Sequence, residues 1–339
     1  MNRSFELDCE RLAGYLSHHV PSFSGPLTAS KFSDGQSNPT YLIDAASGRY
    51  VLRSQPPGEL LKSAHAVDRE YRVMAALAPT DVPVPRVFHL CEDRTVTGSL
   101  FYLMECVDGV VHWDPTLSKL PLADRGQAYS AMNRVMANLH SVDIDAVGLG
   151  NYGRPGNYFE RQIGLWTRQY RDAQTEHIAN MERLIDWLPR HQPSDDGRIA
   201  IVHGDFRLDN TLYAANQPEV VALLDWELST LGHPFADLAY QCMQLRMPNS
   251  GVMPGLGDVD RHALGLPSEQ EYLEEYCHNM GIGSVPNWHF YLAFGIFRFA
   301  AILQGVKKRD IDGNASSTKA SQMGALVGPL AEMAVATIE

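Results

Sequence analysis

Residues 201–210 read I-V-H-G-D-F-R-L-D-N, and residues 220–227 read V-V-A-L-L-D-W-E. Each polar cluster follows a short β-branched run, which puts Asp205, Asn210 and Asp225 just beyond the ends of strands. Two carboxylates and an amide so placed suit a magnesium ion, because a hard cation takes oxygen ligands and keeps positions open for phosphate oxygens. A lone His-Gly-Asp is commonly an Asx-rich turn, and it is the joint pattern that singles this segment out. The apolar runs 199–202 and 220–224 predict a small strand pair presenting the loop between them.

Upstream, strand-like segments dominate between Ser30 and Val107: KFSDGQSNPTYLID from Lys31, GRYVLRSQ from Gly48 and SLFYLMECV from Ser99, each bounded by Gly, Pro or Asp. One helix interrupts them. Val67, Tyr71, Met74 and Leu77 recur at helical spacing, with Ser63 as the expected N-cap and Pro79 just past the end. Beyond Asp108-Gly109 the pattern turns helical, as in ADRGQAYSAMNRVMANLH with Ala128, Met132, Val135 and Leu139 on one face. The reading is therefore an α+β chain, with an antiparallel sheet plus one helix in residues 1–107 and a mainly helical region in residues 108–339.

HGDFRLDN, LLDWE and STLGHPFADLAY together resemble the signature of the aminoglycoside phosphotransferase family, which has a bilobal protein-kinase-like fold. The resemblance implies ATP and Mg2+ as cofactors, a nucleotide-binding N-lobe, and a C-lobe carrying the catalytic loop and the acceptor. It implies Asp205 as the catalytic base, and Asn210 and Asp225 as the metal ligands, at the kinase spacing of a base Asp and an Asn five residues later. Arg207 falls two after the base, where protein kinases carry a lysine facing the transferred phosphate. By the same resemblance Asp237 is a structural aspartate tethering the loop, and His203 positions it.

Helical geometry sets the Glu70 carboxylate beside the buried stripe of its helix, where it needs a cation. Arg53, in the strand YVLR, is the expected partner. Protein kinases use lysine at the matching position, and Arg53 is able to hold nucleotide phosphates in bidentate fashion. The loop S-D-G-Q-S-N-P, with Gly35, Ser37 and Asn38, reads either as a cover for ATP phosphates through backbone N–H groups or as an ordinary hairpin turn. Met104 to Val107 ends a strand at the lobe boundary, and Glu105 and Val107 are the expected backbone contacts for adenine; a plain buried strand fits the same residues.

Other classes lack their motifs. There is no GxSxG, no GxxxxGK[ST] and no HExxH, and His18-His19 are adjacent and so cannot share a helical face. With 28 basic and 40 acidic residues the net charge is −12, which argues against nucleic acid as a partner. Five cysteines without a CxxC pair predict reduced thiols. The N-terminal MNRSFELDCERLAGYL is polar where a signal peptide would be basic and then apolar, so the expected location is cytoplasmic. The apolar stretch 288–306 is interrupted by His289, Arg298 and Gln304 and reads as a core helix, not a membrane span.

The acceptor is expected to be a hydroxyl of a small molecule. VLRSQPPGELLKSAHAVDREYRV and DWELSTLGHP are most similar to kinase-like domains found alone in bacteria or fused to acyl-CoA dehydrogenases, which implies a hydroxyacyl-CoA or related metabolite. Arg298 and the cluster Lys307-Lys308-Arg309 are candidates for a CoA phosphate. The stripe Trp288, Tyr291, Leu292, Gly295, Phe299 and Ile302 reads as core ahead of an acyl pocket. An aminoglycoside-type antibiotic kinase and a nucleotide-binding pseudokinase without transfer activity stand as alternatives.

Overall fold

The structure is a computed structural model and describes residues 7–32, 38–56, 66–154, 156–314 and 319–339. The chain divides into two compact units, residues 1–109 with 221–227, and residues 110–220 with 228–339.

The first unit holds α1 (Cys9–His19), β1 (Leu27–Lys31), β2 (Thr40–Ala45), β3 (Gly48–Ser54), α2 (Val67–Leu77), β4 (Val87–Cys91), the short α3 (Arg94–Thr97) and β5 (Phe101–Glu105). Among the described residues its strands form one antiparallel sheet in the order β1-β2-β3-β5-β4. The central strand β3 is buried on both sides, and its residues alternate faces with the period of two. Tyr50 and Leu52 join Leu12 and Leu16 of α1 in one apolar cluster. Arg53, which is opposite Tyr102 in the register, is turned to the other face.

The sequence reading set one helix with this sheet, whereas the described residues add α1 and α3. The signal for α1 was the pair Leu12 and Leu16, one helical turn apart and both fully buried. Helix α2 begins at Val67 with Ala66 as its N-cap and no side-chain cap. The expected cap Ser63 lies outside the described residues and too far upstream to cap this helix. Asp68 and Glu70 in its first turn face the exposed N–H groups electrostatically instead.

The second unit runs through β6 (Val110–Val111), α4 (Leu122–His140), α5 (Tyr158–Asp172), α6 (Ala179–His191), β7 (Ala200–Val202), β8 (Thr211–Tyr213), β9 (Val220–Leu223), which crosses into the first unit's segment, and β10 (Thr230–Gly232). It continues with α7 (Phe235–Arg246), α8 (Glu269–Asn279), α9 (Trp288–Ile311), α10 (Ala320–Gly324) and α11 (Val327–Ile338). Both apolar runs around the loop are strands, but they are not partners of each other. Strand β7 pairs antiparallel with β10, Ile201 opposite Leu231. A three-residue strand needs a partner that also shields it, and β10 leads straight into the buried α7.

Helix α9 is the axis of this unit, packed against α5, α6, α7, α10 and α11. It is long and apolar enough to span a membrane by length and composition, yet 78% of that window is buried inside the protein. Of the stripe singled out in the sequence, Tyr291, Leu292, Gly295 and Phe299 are buried. Gly295 faces the α7 backbone, where a Cβ would meet the carbonyl carbon of Ala239 at 3.4 Å, an ordinary van der Waals contact. Phe297 is fully enclosed. Phe297→Ala is expected to cost about 3–5 kcal/mol through lost burial and the cavity left behind, read as a lower urea midpoint with an unchanged slope.

Candidate functional site

In the first unit a buried charge cluster forms on the α2 face of the sheet. Arg53 Nε lies 2.8 Å from Glu70 Oε2, and its terminal nitrogen donates to Asp225 Oδ1 at 2.7 Å, with Glu227 Oε2 at 3.8 Å. The Nε contact has no hydrogen-bond geometry, so charge joins Arg53 to Glu70 more than a directed bond does. Glu70 takes its directed bonds from the Asn38 amide at 2.8 Å and the Tyr102 hydroxyl at 3.0 Å. One cation thus serves three carboxylates. Burial opposes the Arg53 charge, and Asp225 and Glu70 outweigh it, so the guanidinium is held more firmly protonated than usual. Burial pushes Glu70 up to about 7, with Arg53 pulling it down and Asp225 pushing further up.

Asp225 adopts a left-handed backbone, φ 63°, a conformation that short polar side chains tolerate. The turn is fastened by Trp226, whose indole N–H donates to the Leu223 carbonyl at 3.0 Å. Asn38 is buried and bonded to Glu70, while Gly35 and Ser37 lie outside the described residues. Glu105 closes β5 exposed to solvent, its backbone N–H on the Arg86 carbonyl, and Val107 follows half-buried.

In the second unit the loop after β7 is pinned from below by α7. Asp237 accepts the N–H groups of His203 at 2.7 Å and Gly204 at 2.9 Å, and His140 Nε2 sits 3.3 Å away. Burial raises Asp237, but His140, His203 and the Gly204 N–H pull harder, holding the carboxyl below its usual range. The other ring nitrogen of His140, Nδ1, lies 2.7 Å from the Tyr276 hydroxyl, which fixes the ring's orientation. Gly204 has φ 83°, and a Cβ there would lie 2.5 Å from the Leu228 carbonyl oxygen, so glycine is required.

The pinned loop presents Asp205, Arg207 and Asn210 together. The Asn210 amide donates to both the backbone carbonyl and Oδ2 of Asp205, each at 2.9 Å. Arg207 Nε lies 3.2 Å from Asp205 Oδ1, and its terminal nitrogen 2.8 Å from Asp209. Tyr240, buried on α7, lies near enough to the Asp205 carboxylate for that charge to push its hydroxyl pKa up. With its nitrogen committed to Asp205, Asn210 offers its oxygen as the ligating atom. That oxygen and the Asp225 carboxylate are the donor types magnesium takes. The described residues hold no ready-made cluster of three or more His, Cys, Asp or Glu ligands.

Sequence reasoning missed Glu227, Asp209, His140, Tyr240 and Tyr276. Tyr240 had a signal, three residues after Asp237 on the same helix. Tyr276 had none, since only the packing of α8 on α4 brings it to His140.

The Glu70 carboxyl carries a stability signature. It is more basic folded than its ordinary value of 4.5, so the native state binds a proton that the unfolded chain releases, and stability falls as pH rises from about 4.5 to about 7. Glu70→Gln is expected to remove that part of the slope, checked by urea unfolding of both proteins across this range.

A model of the phosphotransferase enzyme family matches residues 28–273. The chain is 50% identical over 324 residues to acyl-CoA dehydrogenase family member 10 of Mus musculus, covering 95% of this chain and 30% of that protein. It is 39% identical over 332 residues to family member 11 of Homo sapiens, covering 96% of this chain and 42% of that one. The chain thus spans less than half the length of these curated relatives. A crystal structure from Ralstonia eutropha, assigned as an aminoglycoside phosphotransferase, superposes with a TM-score of 0.90 at 46% identity over 98% of both chains. Choline kinase from Cryptosporidium parvum shares the fold alone, with a TM-score of 0.63 at 11% identity over 98% of this chain and 95% of that one. With an α+β kinase-like fold and a family match over most of its length, the chain belongs to the phosphotransferase enzyme family.

Proposed function

We propose that this chain transfers the γ-phosphoryl group of magnesium-bound ATP to a hydroxyl of a small organic molecule. The observation that carries the reading is the Asp205 carboxylate, oriented by Asn210 and Arg207 on a loop whose backbone is fixed by Asp237. In this reading Asp205 accepts the acceptor's hydroxyl proton, and Asn210 and Asp225 hold the metal. Arg207 turns to the transferred phosphoryl, while Arg53, oriented by Glu70, meets the nucleotide phosphates. Magnesium supplies neutralisation of the phosphate charge when bound.

Residues 1–107 are assigned to the nucleotide, with Gly35, Ser37 and Asn38 over the phosphates and Glu105 and Val107 at the adenine. Residues 108–339 are assigned to the catalytic loop and acceptor. The preferred acceptor is a hydroxyacyl-CoA, supported by the relatives named acyl-CoA dehydrogenase family members, in which this chain's counterpart is one part of a longer protein. Aminoglycosides are the alternative acceptors, supported by the name of the Ralstonia protein. Five unpaired thiols favour a reducing, cytoplasmic setting. A second reading, nucleotide binding without transfer, is favoured by the 2.7 Å bond that ties Asp225 to Arg53.

One experiment separates these readings. Asp205→Asn keeps the shape and removes the base, so turnover should fall by roughly 10²- to 10⁴-fold while magnesium-ATP binding survives. A collapse of binding and turnover together would assign Asp205 to the loop or the metal. Transfer of labelled phosphate is measured on a panel of hydroxyacyl-CoA esters and aminoglycosides; absence of transfer to every acceptor, with nucleotide binding intact, would favour the second reading.

A further inference from the structure

Arg298 stands in the middle of α9, in the sequence F-G-I-F-R-F-A-A, and only 6% of its surface is exposed. A guanidinium so enclosed calls for a carboxylate or several hydrogen-bond acceptors. Among the described residues it has neither. Its contacts are two aromatic faces, Trp166 of α5 with the ring centroid 5.3 Å from the guanidinium carbon and Tyr240 of α7 at 5.0 Å. Cation–π contacts return only a fraction of the cost of enclosing the charge. The guanidinium nitrogens are also absent from the fully enclosed polar atoms without partners, so the residual exposure reaches them.

The place of this cation is informative. The Tyr240 ring that carries Arg298 on its face has its hydroxyl within the field of Asp205. Burial raises the Tyr240 hydroxyl, Asp205 raises it further, and Arg207 and Arg298 pull the other way. The carboxylates of this neighbourhood are already engaged: Asp205 with Asn210 and Arg207, and Asp237 with His140 and two backbone N–H groups. The other basic residues considered for an anion differ: Lys307 pairs with Glu176, Lys308 holds Asp312 at 2.5 Å, and Arg309 is exposed to solvent.

We propose that Arg298 binds an oxyanion carried by the acceptor, so that the substrate class is a hydroxylated organic anion and not a polycation. This rests on the phosphotransfer reading and narrows it. One aromatic ring links the anion site to the base, so hydroxyl and oxyanion lie within a short span of each other. A carboxylate a few bonds from the hydroxyl meets that condition directly, and a CoA phosphate meets it only with the acyl-pantetheine arm folded back. The planar fork of arginine suits either oxyanion in bidentate fashion.

The test measures binding without nucleotide, by calorimetry and by the emission of Trp166 against which the guanidinium lies. The probes are 3-hydroxybutanoate, its uncharged methyl ester and 3-hydroxybutyryl-CoA. Wild type should bind at least one anionic probe well ahead of the methyl ester, and Arg298→Met should weaken that probe by roughly 10²-fold while leaving the ester unchanged. Arg298→Lys keeps the charge without the fork and should lose about 10-fold. An Arg298-dependent loss confined to the free acid assigns a carboxylate, and one confined to the CoA ester assigns a phosphate. Unfolding of each variant in urea is followed in parallel; should Arg298→Met not fold, Arg298→Lys and the preference of wild type for anion over ester decide. Wild-type affinity in either variant, equal losses on the neutral ester, or no binding of either anion to wild type would overturn the proposal. Phosphate transfer is scored separately. Arg298-dependent binding without transfer sinks the kinase reading alone, and transfer to aminoglycosides without Arg298-dependent anion binding sinks this one alone.

Discussion

The buried carboxylate of Asp237 is the constraint on which the loop of Asp205 and Asn210 depends. A loop that must expose a polar cluster cannot also bury its own backbone, and the N–H groups of His203 and Gly204 would stand unpaired beneath it. Asp237 takes both, and two charge-assisted bonds to consecutive amides fix the direction of the chain as well as its position. The cost of enclosing that charge is met by His140, whose own orientation is set by Tyr276, so α4, α7 and α8 all act on one turn of backbone. With the backbone held, Asn210 need only orient the Asp205 side chain. In the proposed phosphotransfer a base depends on such supports, since small misplacements are expensive.

The first unit solves the opposite problem. Among the described residues its cluster sets the buried cation of Arg53 against Glu70, Asp225 and Glu227, and enclosing these charges is costly. Tyr102 and Asn38 satisfy Glu70 with hydrogen bonds. Asp225 and Glu227 are less enclosed, 34% and 26% exposed at the side chain. Arginine in place of lysine at position 53 contributes here, because its fork reaches Glu70 from one nitrogen and Asp225 from another.

Much of this was legible in the sequence wherever one element carried the signal. Short β-branched and aromatic runs bounded by Gly, Pro or Asp gave β3 and β5, helical spacing gave α2, and the need of Glu70 for a cation pointed to Arg53, which lies 2.8 Å from it. The core reading of 288–306 followed from its polar interruptions, two of which, Arg298 and Gln304, are themselves buried. What failed was information held between elements. The pairing of β7 with β10 skips the intervening strands, and no local pattern announces a partner thirty residues away. The hydroxyl of Tyr276 reaches His140 across 136 positions of chain, and a tyrosine in an amphipathic helix looks like core until that packing is known. The helix α1 was passed over because its acidic, polar start was weighed for targeting and not for its Leu12 and Leu16 spacing.

Helix α9 brings these themes together. Phe294, Ile296, Phe297, Phe299 and Ala300 make it an apolar pillar, and every neighbouring position argues for another apolar side chain at 298. Replacing an enclosed charge by an apolar side chain of similar volume is often neutral or stabilising, so packing alone gives no reason for an arginine there. Asp237 and Arg53 are enclosed charges too, and each is matched by partners that use most of its capacity. Among the described residues Arg298 differs in having aromatic faces and no acceptor, with Tyr240 at 5.0 Å. Asp237, in the same unit, is satisfied from within the protein, and the partner inferred for Arg298 is one that arrives from outside.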